Sequence, residues 1–211
     1  MFHDAVEDVL GSAETDWARG AAMAELGNGL FDAAHNEEAL SVKETELSMR
    51  RRLGGSECNI LIVQSNIAST YSALGRVEEA LRMRREVYSG RLKLMGEEHP
   101  KTLNAANNYA VSLTALERFE EARSLIRKMT PVARRVLGES HDLTLKMRMN
   151  YAHALYNDDD PTLDDIREAV GTLEEIERTA RRVLGGAHPL TEGIGDFLRH
   201  ARKELRAREA G

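Results

Sequence analysis

Three asparagines recur along the chain at an interval of 42 residues, at Asn66, Asn108 and Asn150. A side-chain amide both donates and accepts hydrogen bonds, so it can satisfy a peptide group whatever side chain that peptide carries. Packed helices lie ~8 to 10 Å apart and an extended peptide advances ~3.3 Å per residue. One asparagine on each repeated helix would therefore meet about every third residue of an extended ligand. The alternative is that these amides cap or bridge helices, but Asn is a poor helix former, which favours the ligand-binding interpretation.

Two other groups of residues could bind a metal. The segment NDDDPTLDD, residues 157–165, gathers five carboxylates, but it lacks the glycine of a calcium loop and has Pro161 where a ligand would stand. We predict a solvated loop in which either Asp160 before Pro161, or Thr162 with Asp165 as a capping box, starts the next helix. His99, His141 and His188 recur once per repeat, too far apart to share a zinc ion, and are predicted to cap or pack. No metal site is expected.

Catalytic motifs are missing from the sequence. It contains no phosphate-binding glycine loop, no nucleophile elbow and no zinc helix motif. Cys58 stands near a helix start without an evident histidine partner. We expect no catalytic residue, no cofactor and no enzymatic activity.

Amino-acid composition and net charge limit the classes of partner that the chain is expected to bind. The chain has 211 residues, of which 42% are hydrophobic and 30% charged, enough for one globular or solenoid domain. Its formal net charge of −6 predicts neither a nucleic-acid nor a membrane partner. A single cysteine favours a reducing, cytoplasmic environment, and no apolar run reaches the ~18 residues of a membrane span.

The same sequence pattern of a helix C-terminus occurs twice in the chain. ARRVLGESHD, residues 133–142, returns as ARRVLGGAHP, residues 180–189, and in each copy a glycine follows the last leucine, as at a helix C-terminus. The endings MGEEHP, residues 95–100, and RRLGGSE, residues 51–57, bring the number of copies to four. The second and third copies lie 42 residues apart, the inserted NDDDP lengthens the next interval to 47, and a looser first copy lies 41 residues before the second. Each copy consists of two helical halves with one small residue in each half, which lets two helices approach closely. The first halves carry Gly27, Ala68, Ala110 and Ala152, and the second halves carry Ala39, Ala80, Ala122 and Ala169.

These motifs resemble a known family. Small residues in paired helices, NNYA at residues 107–110, EEA at the start of the second helix and LG followed by HP or HD are similar to the 42-residue tetratricopeptide repeats of kinesin light chains. The resemblance covers residues 21–189. It implies an all-α, right-handed superhelical solenoid of antiparallel helix pairs, whose first helices line a concave groove that binds an extended peptide.

The resulting domain prediction places an N-terminal helix or cap at residues 1–13, repeats at 14–55, 56–97, 98–139 and 140–187, and a C-terminal capping helix at 188–211. Pro131 lies inside a predicted helix and is expected to kink it near Thr130. In the final half-copy Phe197 takes the asparagine place and Arg199 the small-residue place, as expected of a capping helix.

The sequence thus predicts a non-catalytic scaffold that binds a peptide of a partner protein. In the alternative, the chain is a regulatory or oligomerisation module whose groove is filled by a second copy or by its own N-terminal helix. Phe2, Val6, Val9 and Leu10 give that helix an apolar face. A monomer or weak homodimer is expected. By the same resemblance, Asn66, Asn108 and Asn150 match the asparagine that holds the backbone of an extended peptide in that family. The predicted peptide-binding residues are Asn66, Ser69, Asn104, Asn107, Asn108, Lys146, Asn150, His153 and Tyr156.

Overall fold

The computed structural model describes the backbone of residues 2–210, and the side chains of residue 16 and residues 18–210. The described backbone contains nine helices and no strand. The helices are α1 (Phe2–Asp32), α2 (Asn36–Arg52), α3 (Glu57–Ala73), α4 (Val77–Met95), α5 (Pro100–Ala115), α6 (Phe119–Leu137), α7 (Asp142–Tyr156), α8 (Leu163–Val183) and α9 (Pro189–Glu209). The predicted all-α class is therefore confirmed.

The recurring histidines cap helices. His99, His141 and His188 are the N-cap residues of α5, α7 and α9. In each, the ring Nδ1 accepts a hydrogen bond from the backbone N–H two residues on, at 3.1, 3.1 and 3.2 Å respectively. A helix start leaves such N–H groups without a partner inside the helix. Capping, one of the two predicted roles, is thus the role that these side chains have.

The helix endings follow the sequence pattern as well. Gly138 ends α6 with φ of 98°, and Gly185 has φ of 90° just after α8, a region that glycine enters without steric cost. The predicted capping box is present at the start of α8, where Thr162 Oγ1 accepts from the backbone N–H of Asp165 and a carboxylate oxygen of Asp165 accepts from that of Thr162. Local chemistry therefore sets the helix limits.

The chain divides within α4 into two compact units, one ending at Gly90 and one beginning at Arg91. In the first unit, α2 packs against both α1 and α3, and its apolar cluster is formed by Leu40, Leu47, Val63 and Ile67. In the second unit, consecutive helices from α5 to α9 pack together, and α7 also packs against α5 and α9. Fully buried side chains in this unit include Leu145, Leu155, Ile166, Leu173, Ile176 and Ile194.

The predicted small residues are buried where helices cross. The alanines concerned are fully buried: Ala39, Ala68, Ala80, Ala110, Ala122, Ala152 and Ala169. Gly27 is buried too, and a Cβ added there would lie 3.0 Å from Lys43 Cγ. Close approach of helices thus depends on these positions.

Two predictions concern helices that continue past a predicted kink or a predicted repeat boundary. α6 extends from Phe119 to Leu137 with Pro131 inside it, and the kink near Thr130 stays a prediction. α1 spans both the N-terminal segment and the first helix of the first predicted copy. The repeat boundaries also stay predictions, and the apolar face expected of Phe2, Val6, Val9 and Leu10 lies outside the described side chains.

Candidate functional site

In the second unit, the first helices of successive pairs lie side by side. α7 packs against both α5 and α9. α6 packs against α5 and α7, and α8 packs against α7 and α9. Two cavities open on this layer, one between α5 and α7 and one between α7 and α9. We call the layer with its two cavities the first-helix surface.

The cavity between α5 and α7 has a volume of about 450 Å³ and is called the asparagine cavity. It is lined by four residues of the predicted set, Asn104, Asn107, Asn108 and Lys146, and by Arg91, Pro100, Lys101, Leu137, His141, Asp142 and Leu143. The sequence prediction missed Arg91 and Lys101. Lys101 stands one helical turn before Asn104, a spacing that places both on one helix face and could have identified it.

Arg91 gives the asparagine cavity a fixed cation. It is 8% exposed, and its guanidinium donates to the backbone carbonyl of Lys101 at 3.0 Å. In the aligned later copies this place holds Ala133 and Ala180, both fully buried. The corresponding residue of the looser first copy is Arg50, so this position holds an arginine in the first two copies and an alanine in the last two, a change along the repeat that could have revealed Arg91.

The asparagine amides are joined to one another. Asn150 Nδ2 donates to Asn107 Oδ1 at 2.9 Å, from α7 to α5, and Asn108 Nδ2 donates to Asn104 Oδ1 at 3.2 Å within α5. The first of these bonds is a helix bridge, the alternative that the sequence left open. It uses one donor and one acceptor, and each amide has further hydrogen-bonding groups. Bridging therefore orients these amides without using all of their capacity.

The cavity between α7 and α9 has a volume of about 550 Å³ and is called the aromatic cavity. The ring of His153 meets Tyr156 edge-on at 5.6 Å and Phe197 edge-on at 4.8 Å between centroids. Burial lowers the pKa of His153, and the nearby His200 lowers it further. Burial also raises the pKa of Tyr156 to about 12. The three rings therefore form an uncharged wall at neutral pH, next to a rim that includes Asp196, Lys203 and Glu204.

The first unit contains the other two predicted residues, both on α3. Asn66 and Ser69 are half-buried, and Ser69 Oγ donates to the carbonyl of Ser65 at 3.2 Å. The carbonyl of Asn66 accepts from Thr70 Oγ1 at 3.1 Å. The structure thus gathers six predicted residues around the two cavities of the second unit, and Asn150 joins them through Asn107.

The acidic loop after α7 is tied down by arginines. Arg123 contacts Asp158 at 2.6 Å and Asp165 at 3.8 Å, and Arg208 contacts Asp160 at 3.6 Å. In the part of the chain that the structure describes, no group of three or more His, Cys, Asp or Glu residues is placed to hold a metal ion. The same part contains no helix with the length and apolarity needed to cross a membrane.

Comparison with known proteins agrees with the helical repeat fold. The family model of the tetratricopeptide repeat matches residues 59–130. Comparison with curated protein sequences gives no match. Among solved structures, one is a variant of a protein of the kinesin-light-chain type from Podosopora anserina, which has nearly identical TPR-like repeats. Its sequence is 22% identical to this chain, the TM-score is 0.74, and the match covers 90% of this chain and 88% of that one.

Two further structures are similar in fold. BtubC (BKLC) from P. vanneervenii is 17% identical with a TM-score of 0.63, and the match covers 98% of this chain and 88% of that one. A signal transduction ATPase with a tetratricopeptide repeat sensor, from Pyrococcus horikoshii, is 14% identical with a TM-score of 0.69, over 96% of this chain and 31% of that one. Residues 59–130 therefore match the tetratricopeptide repeat, and the chain has the all-α repeat solenoid fold of the kinesin-light-chain-like structures.

Proposed function

We propose that the chain is a non-catalytic scaffold that binds an extended peptide of a partner protein along the first-helix surface. Tetratricopeptide repeats are typically protein-interaction scaffolds, which supports the general function. The observation that carries the specific proposal is that six of the predicted residues line two neighbouring cavities that share α7. As part of this proposal we place the scaffold in the cytoplasm, with a protein partner rather than nucleic acid or membrane.

A short peptide suffices to occupy both cavities. Lys146 lines the asparagine cavity and Tyr156 lines the aromatic cavity, and both lie on α7. Ten residues of helix rise ~15 Å, which equals about four or five residues of extended chain. The asparagine amides would bind the peptide backbone, and the aromatic cavity would take one apolar or aromatic side chain of the ligand.

Charge favours a particular ligand at the asparagine cavity. Its lining includes three cations, Arg91, Lys101 and Lys146, and one carboxylate, Asp142. We therefore expect an acidic residue of the peptide above this cavity. The acidic loop by itself would favour a basic residue at the other end, but Asp158 and Asp160 are each paired with an arginine, so that preference is expected to be weaker.

Peptide selection followed by affinity measurement tests the proposal. Peptides are selected against the full chain, and the best binder is titrated by fluorescence anisotropy against Asn108→Ala. Loss of hydrogen bonds to a peptide backbone is expected to weaken binding by ~1 to 3 kcal/mol. Asn59→Ala, an exposed asparagine at the start of α3, is the matched control and should leave the affinity unchanged.

Three outcomes would contradict the proposal: no peptide is selected, both variants weaken binding equally, or binding is insensitive to Asn108→Ala. The molecular mass in solution tests the alternative in which a second copy fills the surface. A dimer that the selected peptide dissociates would favour that alternative over a scaffold that awaits a partner.

A further inference from the structure

A third cavity, of about 310 Å³, lies between α6, α7 and α8, and the residues that line it differ from those of the first-helix surface. Three arginines line it, Arg127 and Arg134 from α6 and Arg148 from α7. Thr130 and Tyr151 line the same space. We call it the arginine cavity.

The repeat itself shows that this cavity is particular to one place in the chain. The residues 42 positions before Thr130, Arg134 and Arg148 are Tyr88, Leu92 and Ala106. Tyr88 and Ala106 are buried, so the preceding copy fills these places with apolar groups. The residues 47 positions after Arg127 and Arg148 are Glu174 and Gly195. Neither neighbouring copy can therefore assemble three guanidinium groups and a hydroxyl.

Beside the cavity, α6 has one hydroxyl without a hydrogen-bond partner and one carbonyl without its helical N–H donor, and only the hydroxyl can donate to an anion. The Thr130 hydroxyl is buried, and no hydrogen-bond partner is found for it among the described residues. Pro131 follows it in the middle of α6 and has no N–H to donate to the carbonyl of Arg127 four residues back. A buried polar group without a partner costs free energy, so a ligand that accepts from Thr130 would be stabilised there.

The arginines differ in how firmly they are held. Arg148 is 11% exposed and contacts Glu175 at 2.5 Å and Glu139 at 3.7 Å, whereas both glutamates are more than half exposed. Arg134 also contacts Glu139. The guanidinium of Arg148 is thus a fixed donor whose carboxylate partners can turn outwards into water. Another oxyanion could take their place, because a guanidinium presents five donors in a planar fork.

Arg127 has a neutral partner. Its Nη2 donates to the hydroxyl of Tyr151 at 3.0 Å, and that hydroxyl donates to Glu168 at 2.9 Å. In the described structure, no carboxylate lies within salt-bridge distance of Arg127. Glu168 also lines the cavity, and its negative charge opposes an anion. The net charge of the lining residues is therefore +2. A compact ligand with several oxygen acceptors and a charge near −2 matches this lining.

We propose that the arginine cavity binds a phosphoryl group. The group could belong to a free phosphate or to a phosphorylated side chain, since both present the same tetrahedral oxyanion. Arg127, Arg134 and Arg148 would donate to its oxygens as charge-assisted hydrogen bonds, and Thr130 would donate through its hydroxyl. This site is independent of peptide binding at the first-helix surface.

The test is a titration of the full chain with sodium phosphate, followed by NMR of the arginine Nε–Hε groups. Sodium chloride at the same ionic strength is the reference, because screening alone affects exposed charges. Phosphate is expected to shift the signals of all three arginines, and chloride is not. Arg127→Gln should weaken phosphate binding about tenfold, since it removes one charged hydrogen-bond donor.

Two further variants decide whether the cavity is responsible. Thr130→Tyr introduces the residue of the preceding copy, should fill the space and is expected to abolish binding. Arg167→Gln removes an exposed arginine of α8 that pairs with Asp164 and Glu209, and should leave binding unchanged. Circular dichroism confirms that each variant is folded. Equal shifts with chloride, unchanged binding by Thr130→Tyr, or equal weakening by Arg167→Gln would overturn the proposal.

The source of the phosphoryl group is distinguished in a second titration with blocked phosphoserine, in which the amino and carboxyl groups are capped. Tighter binding of blocked phosphoserine than of inorganic phosphate would identify a phosphorylated side chain. Tighter binding of inorganic phosphate would identify a free anion. Binding of neither would refute the site altogether.

Discussion

The two units of the chain fill the same repeat position with opposite chemistry. Aligned on the alanine of each second helix, Lys43 in the first unit corresponds to Ile126 and Leu173 in the second. All three are at most 2% exposed. Leu173 belongs to a cluster of buried apolar residues, whereas Lys43 Nζ donates to Thr70 Oγ1 at 3.1 Å and lies 4.5 Å from the ring centroid of Phe31.

The first unit has further buried polar groups. Glu46 is 2% exposed and accepts from Arg50 at 2.7 Å, and Gln64 is 5% exposed and donates to Glu86 at 2.9 Å. Buried polar groups are tolerated when they are hydrogen-bonded, but they contribute less than apolar packing. The repeat framework therefore specifies where helices cross, through its small residues, and leaves the adjoining position free to be apolar or polar.

The largest predicted effect comes from placing the residue of one unit in the other. Leu173→Lys would bury a cation among Ile166, Val170 and Ile176, which provide no acceptor. We expect the free energy of unfolding to fall by ~3 to 5 kcal/mol, as for an uncompensated buried charge. Urea denaturation measures it. Leu173→Met, which conserves volume, should cost less than ~1.5 kcal/mol.

The comparison would fail if Leu173→Lys were as stable as Leu173→Met. Such a result would mean that the position tolerates a cation in either unit, so that Lys43 needs neither Thr70 nor Phe31.

A smaller effect is expected at the helix starts. His141 caps α7 through its ring nitrogen, whereas His35, the N-cap residue of α2 in the first unit, makes no side-chain capping bond. His141→Ala should therefore reduce the free energy of unfolding by ~0.5 to 2 kcal/mol. His35→Ala is the matched control and should change it little. Equal losses in thermal or urea unfolding would show that the histidine ring acts in some way other than capping.

Helix limits and crossing points could be predicted because they depend on local chemistry. A glycine after the last leucine, a histidine three residues after that glycine and an alanine at the crossing each act within a few residues of sequence, and Gly138, His141 and Ala110 behave as expected. The lining of the asparagine cavity could be predicted only in part. Asn108 recurs with the repeat, but Asn104 and Asn107 do not, and Arg91 reaches the cavity from the second helix of the preceding pair.

The arginine cavity could not be predicted from periodicity, because three of its residues depart from the repeat, although Arg127 corresponds to Arg85 of the preceding copy. Thr130, Arg134 and Arg148 come from two helices, and each differs from the residue 42 positions earlier. Their approach depends on tertiary packing of α6 against α7. Residues that recur with the repeat thus allow the helical framework to be predicted from sequence, whereas a site formed by non-recurring residues can be recognised only in the structure.

The smallest predicted effect is a difference in pH dependence between the units, due to Lys43. Burial lowers the pKa of Lys43 below its ordinary value of 10.5, although Asp32 and Glu46 partly oppose the shift. Between the lowered pKa and 10.5, the unfolded chain holds a proton that the folded chain has released, so the free energy of unfolding should rise with pH across this window. Below the window the destabilisation is complete and constant.

Lys43→Met removes the titrating group and should flatten this part of the profile, and Thr70 remains bonded to the carbonyl of Asn66 after the change. At neutral pH the variant is expected to be as stable as the original chain or slightly more stable, as when a buried charge is replaced by an apolar group of similar volume. Urea denaturation at a series of pH values up to 10.5 measures both effects, with Lys93→Met, an exposed lysine of α4, as control. If Lys43→Met and Lys93→Met give the same profile, or if Lys43→Met unfolds the chain at neutral pH, the buried lysine stabilises the first unit, and the contrast between the units must be explained by another residue.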